Sequence, residues 1–491
     1  MIPVLLILIP LLTGFATFFI KNEKQARSWA LFSVIITLGI SLAGLLIKDV
    51  KYLHEQCEWL PGLGSSFSVS LDGMGQLLCL LTGIAYPLIF IATWNNSYKN
   101  AKNFFALMLL AQAGLMGVFV ATDALLFYFF WELALVPMYF LCSQWGGERR
   151  IAVTFKFFIY TFVGSLLMLI GIIYIQSKTA DHSFALESFY KVVLTNGQQS
   201  WLFWLFFIAF AIKMPIFPFH TWQPDTYEQA PTATTMVLSG VMVKMGLIGI
   251  IRWLMPVLPA AAFAWGDVVM SMSVVGIVYA SLIAIRQDDI KRLVAYSSIA
   301  HIGLMCMAVF SENTSGMQGA MIQMFNHGIN IIGLWIMVEI IERRYGTRKL
   351  SELGGLAQKA PALAIFFVII ALANIALPLT NAFAGEFLMF NSLLNARTTY
   401  LYSILFMVFA GSGIIFGAVY TLNMIRKIFY GENAAAVKNG VADLKGYEKL
   451  ALGIIVVMIF VAGIYPQLLL DITKDVSAFI ESKFYQPPSF K

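Results

Sequence analysis

Glu132, Lys213, Lys244 and Glu386 each fall well inside a long apolar run, far from the loops. A charge at the centre of a bilayer costs about 3 kcal/mol on insertion scales. Two acids and two bases in such positions suit one chemistry, the stepwise transfer of protons or ions through lipid-embedded protein. Glu132 stands in Phe129–Phe130–Trp131–Glu132–Leu133, in a helix that begins near Asp123. Nine residues at 1.5 Å rise place its carboxylate about 14 Å deep, near the midplane. The plainer use of such an acid is to pair with a lysine and hold helices together.

Lys213 precedes two prolines in Lys213–Met214–Pro215–Ile216–Phe217–Pro218–Phe219–His220. Proline lacks an N–H and clashes with the carbonyl four residues back. The carbonyls of Ala211 and Met214 are therefore expected to be freed, and freed backbone groups in lipid need a partner or water. Burial favours a neutral amine and a nearby carboxylate favours the ammonium, so movement of an acid would toggle the proton on such a lysine. One pKa unit is worth about 1.4 kcal/mol. Moving a charge through the membrane potential involves about 2.3 kcal/mol per 100 mV, so a few units of tuning suffice. Lys244 is some 14 residues into its run, too deep to snorkel easily. A lysine satisfied by backbone carbonyls is the structural alternative. Glu386, in Leu377–Pro378–Leu379–Thr380–Asn381–Ala382–Phe383–Ala384–Gly385–Glu386, mirrors Lys213 with the opposite charge beside Pro378. Its alternative is an acid wetted near the end of a broken helix.

His301 and His327 fall near the middle of their runs, and His220 ends the first break. A neutral histidine can relay protons, or simply pack as a hydrogen-bonded residue. Their spacing does not resemble a metal site. Asp225 and Glu228 follow the first break among aromatics, which suits a structural interfacial lid. Cys57, Cys79, Cys142 and Cys306 are scattered, with no CxxC pair that would hold an iron–sulfur cluster. No Gly-rich phosphate loop follows a strand. The chain is expected to bind no metal, nucleotide or redox cofactor itself.

The elements that must position these groups are apolar helices. Only 12% of the 491 residues are charged and 59% are hydrophobic, against about 25% charged in a soluble domain. Fourteen runs can span a bilayer: 2–20, 28–47, 74–94, 103–121, 123–142, 155–176, 201–220, 230–251, 266–285, 289–310, 315–341, 363–394, 399–427 and 449–470. The first lacks a basic residue ahead of it and a cleavage site, and reads as a retained helix. The runs at 201–220 and 363–394 look broken. With the N-terminus outside, the inner loops hold 21 Lys and Arg and the outer segments 9. That asymmetry predicts both termini on the outer side of the membrane, and it explains the net charge of +6 without nucleic acid. The segment from Lys48 to Leu71 reads as an outer loop with a small hairpin.

The broken run is the fourth member of spans four to eight and again of spans nine to thirteen. Five helices is an odd number, so tandem copies have opposite topology, and inverted repeats with discontinuous helices are a transporter signature. This divides the chain into N-terminal helices (1–99), a first repeat (100–252), a second repeat (259–430), and a C-terminal loop and helix (431–491).

Several long strings resemble one family. They are Phe130–Trp131–Glu132–Leu133, Pro137–Met138–Tyr139–Phe140–Leu141, Trp145–Gly146–Gly147, Ile212–Lys213–Met214–Pro215, Glu228–Gln229–Ala230–Pro231–Thr232, Asp289–Ile290–Lys291–Arg292–Leu293–Val294–Ala295–Tyr296–Ser297–Ser298 and Asn326–His327–Gly328. Over about 100 to 430 the chain is similar to the antiporter-like subunits of proton-pumping NADH–quinone oxidoreductase, or complex I. Gly385–Glu386–Phe387 resembles the M-type branch, where L-type, N-type and Mrp antiporter subunits usually carry Lys nearby. The resemblance implies fourteen core helices in two inverted five-helix repeats. It implies that Glu132 pairs with Lys213, that Lys244 is a central relay, that His301 and His327 lie between Lys244 and Glu386, and that Glu386 is the exit. It further implies FMN, iron–sulfur clusters and quinone in partner subunits, and L-type and N-type neighbours, with a lateral helix from the L-type one. The alternatives are a subunit of a multisubunit cation/proton antiporter of the Mrp type and a scaffold whose charges only pack helices.

Overall fold

The computed structural model describes residues 1–47, 49–396, 400–431 and 443–484. Lys48, Arg397, Lys438 and Lys491, part of the charge count above, lie outside the described residues. The chain folds as α1 (Ile2–Thr17), α2 (Glu23–Leu46), a hairpin of β1 (His54–Leu60) and β2 (Ser65–Ser70), α3 (Gly73–Ala92), α4 (Ala101–Val120), α5 (Ala124–Trp145), α6 (Arg150–Lys178), α7 (Asn196–Lys213) and α8 (Trp222–Gln229). There follow α9 (Thr232–Leu254), α10 (Pro259–Arg286), α11 (Ile290–Val309), α12 (Thr314–Tyr345), α13 (Pro361–Asn374), α14 (Asn381–Leu394), α15 (Tyr400–Phe429), α16 (Gly446–Ile464) and α17 (Gln467–Phe484). Eleven of the described helices are long and apolar enough to cross a membrane, and α1 and α13 are shorter apolar helices. Each of the fourteen expected runs coincides with one of these helices, with α7, or with the broken pair of α13 and α14, while α8 falls just after the run at 201–220.

Helix starts follow the local sequence. Asp123 accepts hydrogen bonds from the N–H groups of Leu125 and Leu126 at the head of α5, and Asp289 caps α11 through Lys291 and Arg292. Asp123 also accepts from Ser65 Oγ at 2.9 Å and Ser66 N at 3.0 Å, which fastens the hairpin to α5. The hairpin pairs His54 with Ser70 and Cys57 with Phe67, and turns at Gly64, whose φ of +78° only glycine adopts readily.

The hairpin marks one face of the molecule. The N-terminal ammonium bonds to Tyr52 O and Glu55 there. α17 lies there too, an amphipathic helix mostly beyond residue 470, where the sequence reading ended the last span. Its ring of Phe479 meets Tyr190 at 5.8 Å, and the Ile472 carbonyl sits against Gly73 at the head of α3. Leu468, Leu469, Ile472, Val476 and Phe479 recur at helical spacing, and this was the available signal.

The opposite face is tied by ion pairs. Glu228 receives Arg292 at 2.8 Å, Arg348 at 3.0 Å and Arg149 at 3.5 Å. Asp225 receives Lys156 at 2.9 Å and Arg292 at 3.1 Å. Burial would raise the Asp225 carboxyl, but these bonds outweigh it and hold the group below its ordinary value of 3.8. A depressed carboxylate contributes stability that is complete above the ordinary value and is lost as the pH falls through the lower folded value. Asp225→Asn is therefore expected to cost about 1 kcal/mol at neutral pH and nothing in strong acid, read as thermal stability against pH.

Candidate functional site

Lys213 is the last residue of α7, where Pro215 and Pro218 stop the helix. Only part of the expected carbonyl release occurs. Ile216 N donates to Ala211 O at 2.9 Å, a five-residue step that spans the missing proline donor, and Trp222 Nε1 donates to Ile212 O at 2.9 Å. The break is thus wrapped by its own chain rather than left open. Lys213 is 1% exposed, and its Nζ has no hydrogen-bond partner. It lies 5.4 Å from the centroid of the Trp131 ring, beside Glu132 on α5. Glu132 Oε1 is also buried without a partner. Among the described residues no ion pair within 4.0 Å joins Glu132 to Lys213, so the pairing implied by the resemblance is open in this conformation.

Lys244 comes next along the fold. Gly246 and Gly249 let α9 close on α7, since a Cβ on Gly246 would lie 2.6 Å from Phe210 O and 2.8 Å from Met214 Cβ. The helix carrying Lys244 is not regular. Leu238–Met242 and Gly249–Leu254 are π-helical on either side of it, and such segments recur at functional sites. Lys244 is fully buried and donates to Ser239 O at 2.9 Å. Its Nζ is 2.9 Å from His327 Nδ1 on α12. Gly240 and Gly328 permit this approach, because a Cβ on Gly328 would stand 2.9 Å from Gly240 O.

From His327 the contacts continue. His327 Nε2 lies 3.2 Å from Ser298 Oγ, one turn before His301 on α11. The His301 and His327 rings are 5.7 Å apart between centroids. His301 Nδ1 is 3.5 Å from Glu386 Oε1. The structure therefore joins Lys244, His327, His301 and Glu386 in one run of neighbours. Lys213 and Glu132 form a second group, and no hydrogen bond among the described residues links it to the first. His220 belongs to neither. Its ring packs on Phe217 and Tyr279, 5.7 Å and 5.3 Å between centroids, towards the ion-paired face.

The second break is splinted from α12. Asn330 Nδ2 donates to Ala373 O at 3.2 Å on one side of the gap, and Asn326 Nδ2 donates to Asn381 O at 2.8 Å on the other. Sequence reasoning gave no role to these asparagines or to Ser297, Ser298, Asn374 and Tyr420, although Asn326, Ser297 and Ser298 stand in the strings that carry the resemblance. A signal existed: Gln323, Asn326, His327 and Asn330 form a polar stripe at spacings of three and four on an otherwise apolar helix. A cavity of about 30 Å³ is lined by His301, Glu386 and Tyr420, room for about two waters.

Comparison with known proteins follows the same lines. A family profile described as NADH:quinone oxidoreductase/Mrp antiporter, TM, matches residues 121–415. NADH-quinone oxidoreductase subunit M of Rickettsia typhi is 37% identical over 469 residues, covering 92% of this chain and 93% of the relative. The subunit of the same name from Escherichia coli K12 is 34% identical over 508 residues, covering 98% and 97%. A chain of respiratory complex I from Thermus thermophilus with bound NADH superposes with a TM-score of 0.91 at 26% identity, over 99% of this chain and 100% of that one. A chain of the Mrp complex from Dietzia sp. DQ12-45-1b shares the fold, with a TM-score of 0.84 at 19% identity, over 99% of this chain and 52% of that one. With the profile spanning more than half of its length and its relatives aligned almost end to end, the chain belongs to the NADH:quinone oxidoreductase/Mrp antiporter transmembrane family, in the branch of subunit M.

Proposed function

We propose that this chain is a proton-translocating, non-redox subunit of the membrane arm of respiratory complex I. FMN, iron–sulfur clusters and quinone belong to partner subunits, and the energy of NADH oxidation and quinone reduction reaches this chain as a change at the Glu132–Lys213 group. The observation that carries the reading is the run of buried contacts from Lys244 through His327 and His301 to Glu386.

In this scheme a proton on Lys244 Nζ passes to His327 Nδ1. His327 releases one from Nε2 towards Ser298 and His301. His301 passes one from Nδ1 to Glu386, which releases it to the outer side. Two nitrogens per ring allow a proton to arrive on one and leave from the other. The trigger is electrostatic. When Glu132 closes on Lys213 it neutralises a positive charge that otherwise opposes the one on Lys244, and the low dielectric inside the protein lets a small movement count. Glu132 Oε1 and Lys213 Nζ are buried without protein partners, which supports hydration at that group. The neighbours are the L-type and N-type subunits, with the lateral helix of the L-type one against this chain, in a bacterial inner membrane. Both termini lie outside, which the charge asymmetry of the loops supports. A Mrp-type antiporter role is less well supported, since the Mrp likeness is one of fold.

Glu386→Gln tests the scheme. It keeps the shape and removes the last proton acceptor, and it is expected to lower protons pumped per NADH by about tenfold in the intact complex, the effect of about 1.4 kcal/mol on the limiting step. Unchanged pumping in vesicles would place the exit elsewhere.

A further inference from the structure

His301 is held between the two halves of the broken span. Its Nε2 lies 3.3 Å from Asn374 Nδ2, on the last residue of α13, and its Nδ1 lies 3.5 Å from Glu386 Oε1 on α14. We propose that Asn374 is the positioning residue that sets the tautomer of His301, and that rotation of its side-chain amide gates the step into Glu386. The inference rests on the proton-transfer reading above.

A neutral imidazole carries one N–H and one lone pair. With the amide N–H turned to Nε2, that nitrogen is the acceptor, and the ring proton sits on Nδ1 facing Glu386. The same Asn374 nitrogen also reaches Ser297 Oγ at 3.3 Å, and Ser297 accepts the Tyr420 hydroxyl at 3.0 Å. Ser297 therefore acts as an acceptor in this state, which agrees with the amide's direction. Turning the amide exchanges roles throughout. Asn374 Oδ1 then accepts from His301 Nε2–H and from the Ser297 hydroxyl. The first arrangement gives acceptors to both amide hydrogens and the second gives one to His301 Nε2–H and to the Ser297 hydroxyl, so each keeps two of the bonds around Asn374 and the element has two states.

The proton balance follows. While the amide N–H occupies Nε2, no proton from the His327 side can bind there. When Asn374 presents Oδ1, a proton enters at Nε2 and the one on Nδ1 leaves to Glu386. His301 is left neutral with its proton on Nε2. The ring regains its first tautomer by exchange with water in the cavity at His301, Glu386 and Tyr420, Nδ1 taking a proton from water as Nε2 gives one up to water. Asn374 is well placed to feel the break, because Asn330 holds the adjacent Ala373 carbonyl and the backbone turns left-handed at Ala376, φ +55°.

The test compares Asn374→Leu with Asn374→Asp in the assembled complex, with Glu386→Gln alongside. Leu removes the bias and is expected to lower protons pumped per NADH about fivefold, the size of one lost buried hydrogen bond. Asp offers oxygen only, holds the proton on Nε2 and places a carboxylate on each side of the ring, so it is expected to be worse than Leu. A buried carboxylate would also harm a site where the asparagine merely packs, so the tautomer of His301 is the reading that separates the two roles. The order Asn, Leu, Asp supports the gate; the order Asn, Asp, Leu, or wild-type pumping in both, overturns it. Infrared difference spectra of the wild-type complex with isotope-labelled histidine, minus those of a His301→Phe complex, give an independent reading, and a resting Nε2–H tautomer overturns the gate whatever the variants do. Normal pumping by Glu386→Gln would instead overturn the transfer route itself.

Discussion

Lys244→Met is expected to abolish proton pumping, by tenfold or more, in a complex that still assembles. Methionine matches the length of the lysine stem and carries no proton. Lys244 joins α9 to His327, and its Nζ makes its described bonds to Ser239 O and His327 Nδ1 alone. Removing it leaves two buried groups unpaired, a cost of about 1–3 kcal/mol each that a chain packed this deeply can bear. The route loses its only carrier at that point, and the ring of His327 has no other protonated neighbour on α9. Lys244→Arg separates the two explanations of a positive result. Arginine keeps the charge but does not release its proton, so pumping fails if transfer matters and survives if charge alone does. The measurement is quenching of a pH-sensitive dye in vesicles under NADH, normalised to NADH oxidation, with assembly checked on native gels.

The second large effect is expected at Glu132. Glu132→Gln keeps the side-chain volume beside Trp131 and removes the negative charge that acts on Lys213. Pumping should fall about tenfold, because the group that closes on Lys213 no longer carries the charge that neutralises it. Lys213→Met should do the same. The double variant Glu132→Leu with Lys213→Met is informative for a different reason. Replacing both members of a buried ionic pair by apolar residues is often neutral or stabilising. If the pair served only to hold α5 against α7, the double variant would pump normally while each single variant was damaged. The proton-transfer reading requires the double variant to assemble and to remain inactive. Full pumping from it would end that reading.

The apolar runs, the two proline breaks and the four intramembrane charges were all legible in the sequence, for a physical reason. Lipid offers no hydrogen bonds, so each span must satisfy its backbone within itself, and hydropathy then marks the helices one by one. Proline marks a break wherever it stands, because its defect is local. What remained hidden depends on distance across the fold. That Ile216 would recover the Ala211 carbonyl, that Glu132 and Lys213 would stand apart in this conformation, and that His220 would turn away to Tyr279 follow from how helices pack and not from residue types. The π-helical turns around Lys244 have no composition of their own; they lie where α9 meets α12 at Gly240 and α7 at Gly249. The linking roles of Ser298 and Asn374 were invisible for a related reason: a serine or asparagine becomes part of a relay only when tertiary contact brings a histidine within hydrogen-bonding range.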